Sequence, residues 1–383
     1  MAKKEKLALF TFIDAFGYEL LKREPFLDEI LPHKSPIDTI FGYSSTCDPT
    51  IITGLMPREH DHFSFFAYNP DESPFALCRF FKYLPKSITR RGRVRRLMSR
   101  FIKRLYGYTG YFQIYNMPFD KLPMFEYTEK RDLYQKGGIN SGARTIFDDL
   151  RDQNIPFYLS EWWKSEEHNL ATLTEDLKKG EIEFAYLYMA HMDAILHEFG
   201  PEAKEGSEKI KWYDEQMRKL LEVAYEHYET VNLYVFSDHG MTATPEDYQL
   251  IPQIEALGLK FGEDYAAVYD STMARFWFLK PESETAIRTV LEKETKGKIL
   301  SQEEMHEWGC DFKTNRYGDL FFLVNPGLLL CPSFLGETHL AGMHGYDPND
   351  KDSIASFATN VELDTPPKRL DDLFGLMKKE IES

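Results

Sequence analysis

Three short, predominantly apolar runs, broken only by Thr11 and Asn232 and each followed by residues that can bind a metal or move a proton, constrain this chain more than anything else in it. They are residues 7–13 before Asp14, residues 184–190 before Asp193, and residues 231–236 before Asp238 and His239. A run this short, without polar alternation, suits a strand buried on both faces, as in a parallel sheet. Between the runs lie helical patterns: over residues 208–227, Ile210, Tyr213, Met217, Leu220, Leu221 and Ala224 recur at helical spacing. Strand and helix in alternation predict an α/β fold, a doubly wound, mostly parallel sheet flanked by helices. Ligands of such sheets collect beyond the carboxyl ends of the strands, which is where the closing Asp and His residues fall.

Two stretches break the alternation inside what otherwise reads as one domain over residues 1–383. Residues 63–140, rich in Phe, Tyr, Pro and Arg, predict an insertion or cap over the sheet edge. Residues 255–335 mix short strands with a charged helix near residues 282–296, predicting a second, smaller inserted subdomain. The 62 acidic residues against 46 basic ones give a net charge of −16, which opposes a general nucleic-acid role, since that role needs a basic footprint. No apolar run approaches the ~20 residues that span a bilayer. The basic start at residues 1–6, followed by the run 7–13, imitates a signal peptide without a small-residue cleavage site, so we expect a strand and a cytoplasmic enzyme. Cys47, Cys78, Cys310 and Cys331 are widely spaced with no C-x-x-C pair, so free thiols are expected.

Asp14, Asp193, His197, Asp238, His239 and His344 are hard or borderline metal ligands. Oxygen and nitrogen ligands in this number, without cysteine, suit two Zn²⁺ or Mn²⁺ ions better than one. Asp193 and His197 stand one helical turn apart and can face one ion. Adjacent Asp238 and His239 can share an ion only from a turn, which Gly240 permits. Taken singly, each is more often an N-cap or an ordinary His; the ordered set is what carries the reading. A hydroxyl cluster, Ser44, Ser45 and Thr46, precedes an apolar helical stretch ending at Thr53-Gly54. A hydroxyl at a helix start is either a plain N-cap or a nucleophile beside a phosphate site, where an ion can lower its pKa.

The ordered motifs F-I-D-A-F-G (12–17), I-T-G-L-M-P-R-E-H (52–60), D-A-I-L-H-E-F-G-P (193–201), F-S-D-H-G-M (236–241) and G-M-H-G-Y-D (342–347) resemble the alkaline phosphatase superfamily. Within it, the likeness is to the type I phosphodiesterase/nucleotide pyrophosphatase family. The resemblance implies one ion on Asp193, His197 and His344 and another on Asp14, Asp238, His239 and the nucleophile. Its register places the nucleophile nine residues before Thr53, at Ser44, with Ser45 and Thr46 as alternatives. The implied activity is two-metal hydrolysis of small-molecule phosphate esters, diesters above monoesters, through a phosphoseryl intermediate. A phosphomonoesterase or phosphomutase of the same superfamily, and a catalytically silent membrane-docking scaffold, are the alternatives. The chain departs from the family twice: it has Ser45-Thr46-Cys47 where the family has Thr before Phe-Pro-Asn, and Phe65 where an Asn helps bind the phosphoryl oxygen.

One feature lies outside that machinery. Residues 82–104 hold ten Lys/Arg and no Asp/Glu. Val94, Leu97, Met98, Phe101, Ile102 and Leu105 recur at helical spacing, with Arg93, Arg96, Arg100, Lys103 and Arg104 outside the stripe. The stripe predicts a basic amphipathic helix that packs on the domain or, through residues 82–106, meets an anionic membrane surface, packing being the favoured expectation. Phe75, Phe80, Phe81 and Tyr83 before it are candidates to line an apolar pocket.

Overall fold

The computed structural model describes residues 3–83, 85, 89 and 91–382, with only the backbone of Lys82 and Tyr83. Met1 and Ala2 of the basic start, Lys86 and Arg90 of the basic stretch, and the Lys82 and Tyr83 side chains lie outside the described residues.

The strand Lys4–Ile13 sits inside a six-stranded sheet, with Tyr228–Phe236 on one side and Phe184–Met189 on the other, both parallel to it. Phe157–Leu159 extends the sheet in parallel at one edge. At the other edge Ala355–Thr359 runs antiparallel to Tyr228–Phe236 and pairs with His33–Ile37. The three apolar runs are therefore three adjacent parallel strands, and the sheet is mixed rather than wholly parallel.

Alternation along the central strand divides the core into two layers. Leu7, Leu9 and Ile13 pack with Leu173 and Leu177 of helix Glu166–Lys179 and Ile210, Met217 and Leu221 of helix Lys204–His227. Ala8, Phe10 and Phe12 face Ile51 and Ile52 of helix Ser44–Thr53, Phe147 of Ile146–Asp152 and Leu373 of Asp372–Glu382. Each fully buried aliphatic or aromatic side chain contributes roughly 1.5–3 kcal/mol, which is why residues 7–13 carry no polar alternation. The run 7–13 is thus a central core strand.

Residues 265–324 form a separate antiparallel sheet in the order Tyr265–Tyr269, Met273–Phe278, Leu320–Val324, Gly297–Ile299. Helix Pro281–Leu291 occupies the place of the expected charged helix. In residues 63–140 a two-stranded ribbon, Phe66–Tyr68 with Phe125–Tyr127, holds a long excursion containing helix Gly92–Tyr106. No helix among the described residues is long and apolar enough to cross a membrane. All four cysteines are free and buried.

The basic helix corrects the packing expectation. Its buried residues are Arg95, Ser99 and Ile102, whereas Leu97, Phe101 and Leu105 are 69%, 65% and 58% exposed. The cause is Arg95, which turns inward: its Nε donates to Thr89 O at 2.8 Å and its Nη1 to Tyr115 O at 2.6 Å and Met117 O at 2.9 Å. Those carbonyls fix the helix rotation, so the apolar stripe is split, Ile102 inward and Leu97, Phe101 and Leu105 outward. The expected apolar pocket is corrected too. Phe75 is buried in the core, Phe81 packs on Phe119, and Phe80 is 59% exposed.

Candidate active site

The three parallel strands end side by side, Ile13 in register with Met189 and Phe12 with Phe236. Asp14, the helix His191–Phe199 carrying Asp193, and Asp238 therefore emerge at one sheet edge. His344 arrives through a short ribbon pairing Gly342–Met343 with Thr242–Ala243. Gly240 is required by contact rather than by a positive φ: a Cβ there would lie 2.2 Å from Asp352 O.

Two ligand sets result. Asp193, His197 and His344 each offer an atom within 4.8 Å of the others, as do Asp14, Asp238 and His239. Asp193 Oδ1 lies 3.2 Å from His197 Nε2 and 3.5 Å from His344 Nε2. His239 Nε2 lies 3.1 Å from Asp238 Oδ2 and 3.7 Å from Asp14 Oδ1. The sets abut, with the His239 and His344 rings stacked at a 3.6 Å centroid separation.

Supporting hydrogen bonds orient these groups, as metal-ligand shells require. His197 Nδ1 sits 2.9 Å from Gly342 O and His239 Nδ1 2.9 Å from Gly240 O, leaving each Nε2 free to face the centre. Tyr188 donates its hydroxyl to Asp14 Oδ2 at 2.7 Å. The amides of Ala15 and His239 donate to Asp238 Oδ1 at 3.2 and 3.0 Å. Ala15 holds a left-handed φ of 61° to do so, a strained geometry for a residue with a Cβ.

The donor set fits two divalent cations. Asp14 Oδ1, Asp193 Oδ1 and Asp238 Oδ2 are buried without a hydrogen-bond partner, a costly state that an ion relieves. Burial, then the facing Asp238 and Asp193 carboxylates, push the Asp14 carboxyl well above its usual range. Burial draws His239 down, but Asp238 and Asp14 outweigh it and push the imidazole up to about 10. The centre is thus an excess of negative charge seeking a cation.

Ser44 opens helix Ser44–Thr53, and its Oγ lies 3.0 Å from His239 Nε2. Thr46 is buried and donates to Phe63 O at 2.6 Å, away from the ligands. Ser45 lines the cavity without touching a ligand residue, its Oγ 3.5 Å from Phe63 O. The helix is pinned by the P-R-E-H motif, since Thr50 Oγ1 bonds His60 Nε2 at 3.0 Å. Above the centre opens a cavity of about 850 Å³ that takes in Ser44, Asp193, His344, Phe65, Tyr111 and Trp162.

Sequence reasoning missed several of these groups. Tyr188 is the penultimate residue of the apolar strand Phe184–Met189 and reads there as core. Asp48 lines the cavity one helical turn after Ser44 and accepts from Tyr134 Oη at 2.9 Å. Its i, i+4 spacing from Ser44 was the available signal.

The family model of the type I phosphodiesterase / nucleotide pyrophosphatase matches residues 9–347. The chain belongs to that family. It is accordingly a metal-dependent phosphoric ester hydrolase of the phosphodiesterase and nucleotide pyrophosphatase type, a reading supported over the monoesterase, phosphomutase and silent-scaffold alternatives. Among solved structures, human ectonucleotide pyrophosphatase/phosphodiesterase 5 superposes with a TM-score of 0.70 at 15% identity, covering 99% of this chain and 95% of that one. The murine protein of the same name gives 0.69 at 17% identity with the same coverage. An inactive variant of the murine protein in complex with AMP gives 0.67 at 16% identity, again over 99% and 95% of the two chains. These likenesses establish the alkaline phosphatase-like fold over nearly the whole chain. A comparison with curated protein sequences found no match.

Proposed function

We propose that Ser44 is the nucleophile of a two-metal phosphodiesterase reaction, with Asp193, His197 and His344 holding one ion and Asp14, Asp238, His239 and Ser44 the other. The observation that carries this is the Ser44 Oγ, 3.0 Å from His239 Nε2 where the two ligand sets abut. Zn²⁺ suits three carboxylates and three imidazoles without a thiol, and Mn²⁺ is the alternative. Bound there, two such ions supply Lewis-acid stabilisation of the charge developing on the attacking and leaving oxygens.

The chain's own groups do the rest. Ser44, at a helix start, presents its Oγ beside backbone N–H groups and a positive dipole end that favour the phosphoryl oxygens. Attack on phosphorus expels the ester oxygen in line and leaves a phosphoseryl group, which water then cleaves. Tyr188 and the strained Ala15 amide hold Asp14 and Asp238 in place for both steps. The family's Asn is absent, and Phe65 lines the cavity instead, so the oxyanion contact falls to the helix start and the ions. The murine neighbour's AMP complex supports a small-molecule phosphate ester as the substrate class.

We further propose that helix Gly92–Tyr106 docks on an anionic membrane surface. Its open Leu97, Phe101 and Leu105 run beside the exposed Arg93, Arg96, Arg100 and Arg104, and Phe80 and Leu77 are exposed in the preceding segment Ala76–Tyr83. That pairing of apolar and basic groups matches a headgroup boundary. Lys103 at the end of the helix lies over Trp162, a residue of the cavity wall, which supports a mouth turned toward the same surface. Hydrolysis of bis-(4-nitrophenyl) phosphate, its loss with chelator and its return with Zn²⁺ or Mn²⁺ test the catalytic reading. A metal-saturated Ser44→Ala protein that still turned over would overturn it.

A further inference from the structure

The catalytic cavity continues away from the ligand sets into a compartment the hydrolytic machinery does not use. One wall is a packed group of rings. Phe65 lies 5.5 Å, centroid to centroid, from both Tyr111 and Tyr115, and Tyr111 reaches Trp162 at 6.3 Å. All four rings line the cavity. So does Glu129, which is only 6% exposed. It is close enough to Tyr111 and Tyr115 for its charge to oppose their ionisation.

Glu129 makes no side-chain hydrogen bond or ion pair among the described residues. Two cations stand at the rim of this cavity without pairing to Glu129: Arg131, which is exposed, donates to Gly137 O at 3.2 Å, and Lys103, whose ammonium lies over the Trp162 ring, donates to Gly110 O at 2.6 Å. Burial, with the nearby Asp48 and Asp132 carboxylates adding to it, pushes the Glu129 carboxyl up to about 8. A buried carboxylate without a partner is costly, and proteins normally pair it. Here nothing among the described residues does, while the adjoining wall presents aromatic faces that attract a cation. A second anionic group, such as a further phosphate, would meet Glu129, Asp48 and Asp132 instead.

We infer that this compartment binds the ammonium end of an organic phosphodiester, with Glu129 as counter-charge and Phe65, Tyr111, Tyr115 and Trp162 as the aromatic wall. The inference rests on the phosphodiesterase reading and specifies its substrate class: a phosphate diester whose second ester group carries a compact organic cation. Phe65 gains a role on this view, because the position where the family binds a phosphoryl oxygen has become part of a cation-binding wall.

Two measurements test it. The first compares kcat/KM of the metal-loaded enzyme on 4-nitrophenyl phosphorylcholine and on its uncharged carbon isostere, 4-nitrophenyl 3,3-dimethylbutyl phosphate. The cationic ester should be preferred by about tenfold or more, Glu129→Gln should bring the ratio close to one, and Glu129→Asp should keep a preference. A ratio near one in the wild type, or faster turnover of the 4-nitrophenyl ester of thymidine 5′-phosphate, would overturn the inference while leaving the phosphodiesterase reading intact. The second is calorimetric titration with tetramethylammonium and methylammonium, which needs no turnover. Saturable binding of either ion, weakened about tenfold in Glu129→Gln, is expected, and the stronger binder tells quaternary from primary ammonium. Absence of binding by the folded wild type overturns the subsite. Hydrolysis of none of the esters, with ammonium binding retained, would sink the catalytic reading alone.

Discussion

Replacing Leu97, Phe101 and Leu105 together by Ser separates a packing role from a docking role. At a buried position each change would cost roughly 2–5 kcal/mol. These three side chains are 69%, 65% and 58% exposed, so the surface expectation of about 0.5 kcal/mol or less per site applies and the melting temperature should move by only a few degrees. At a bilayer surface the arithmetic reverses. Full burial of such a side chain contributes roughly 1.5–3 kcal/mol, and with about two thirds of each still open the three together hold about 3–6 kcal/mol. That is about two to four decades of partitioning at ~1.4 kcal/mol per decade. Exposed Arg93, Arg96, Arg100 and Arg104 add ~1 kcal/mol each near anionic headgroups, a contribution that salt screens. Sedimentation with phosphatidylglycerol vesicles, at low and high salt, should show binding by the wild type and its loss in the triple variant. Melting curves measured alongside should differ by no more than a few degrees. A drop of ten degrees or more in the variant, or equal binding to purely zwitterionic vesicles, would refute the reasoning.

The remaining predictions concern the catalytic edge and its anchor. Ser44→Ala should lose turnover by roughly three decades or more while retaining most bound metal, whereas Ser45→Ala should keep appreciable rate; kinetics with metal analysis decide this. Asp238→Asn and His344→Ala should lose metal as well as rate, because each removes a ligand, and metal content after dialysis reads that directly. His60 and His62 should make the protein acid-labile: burial holds His62 down at about 3 and His60 well below its usual value, while His62 Nε2 accepts the Asn140 amide at 2.9 Å. The unfolded chain takes up protons below ~6.5 and the folded chain does not, so stability is full above that pH and falls as acid is added, by about 2 kcal/mol from His62 alone at pH 5. His62→Gln should flatten the dependence of melting temperature on pH between about 6.5 and 5.

The catalytic edge was legible because its chemistry is local in sequence. A strand buried on both faces is mostly apolar and tolerates an occasional Thr11 or Asn232 but not a carboxylate, so the first acidic residue after the run marks where the chain leaves the sheet. Asp14 and Asp238 stand at that point, and Asp193 in the first turn of the short helix that follows its strand. Parallel neighbours bring such exits to one edge, and the ordered motifs supplied the rest, including His344. The basic helix shows where periodicity stops helping. Its apolar positions span more than one face, and sequence cannot say which of them a domain will cover. That choice was made by Arg95, whose guanidinium finds carbonyls of Thr89, Tyr115 and Met117 and turns one apolar row outward.

The cavity wall is illegible for a different reason. Phe65, Tyr111, Glu129 and Trp162 come from separated parts of the excursion and from the loop after Phe157–Leu159, and no spacing rule links them. Each reads alone as an ordinary core aromatic or surface acid. Only the fold reveals that Glu129 is buried without an ion-pair partner among the described residues and shares one cavity with Ser44. On the proposed reading the ions, nucleophile and helix start act on the phosphorus of any ester bound there, so they leave selection among esters to the wall. In this chain that wall is aromatic and acidic, which turns the question of substrate into a question of charge: an ester that brings a cation satisfies Glu129, and one that brings a second anion is repelled by it.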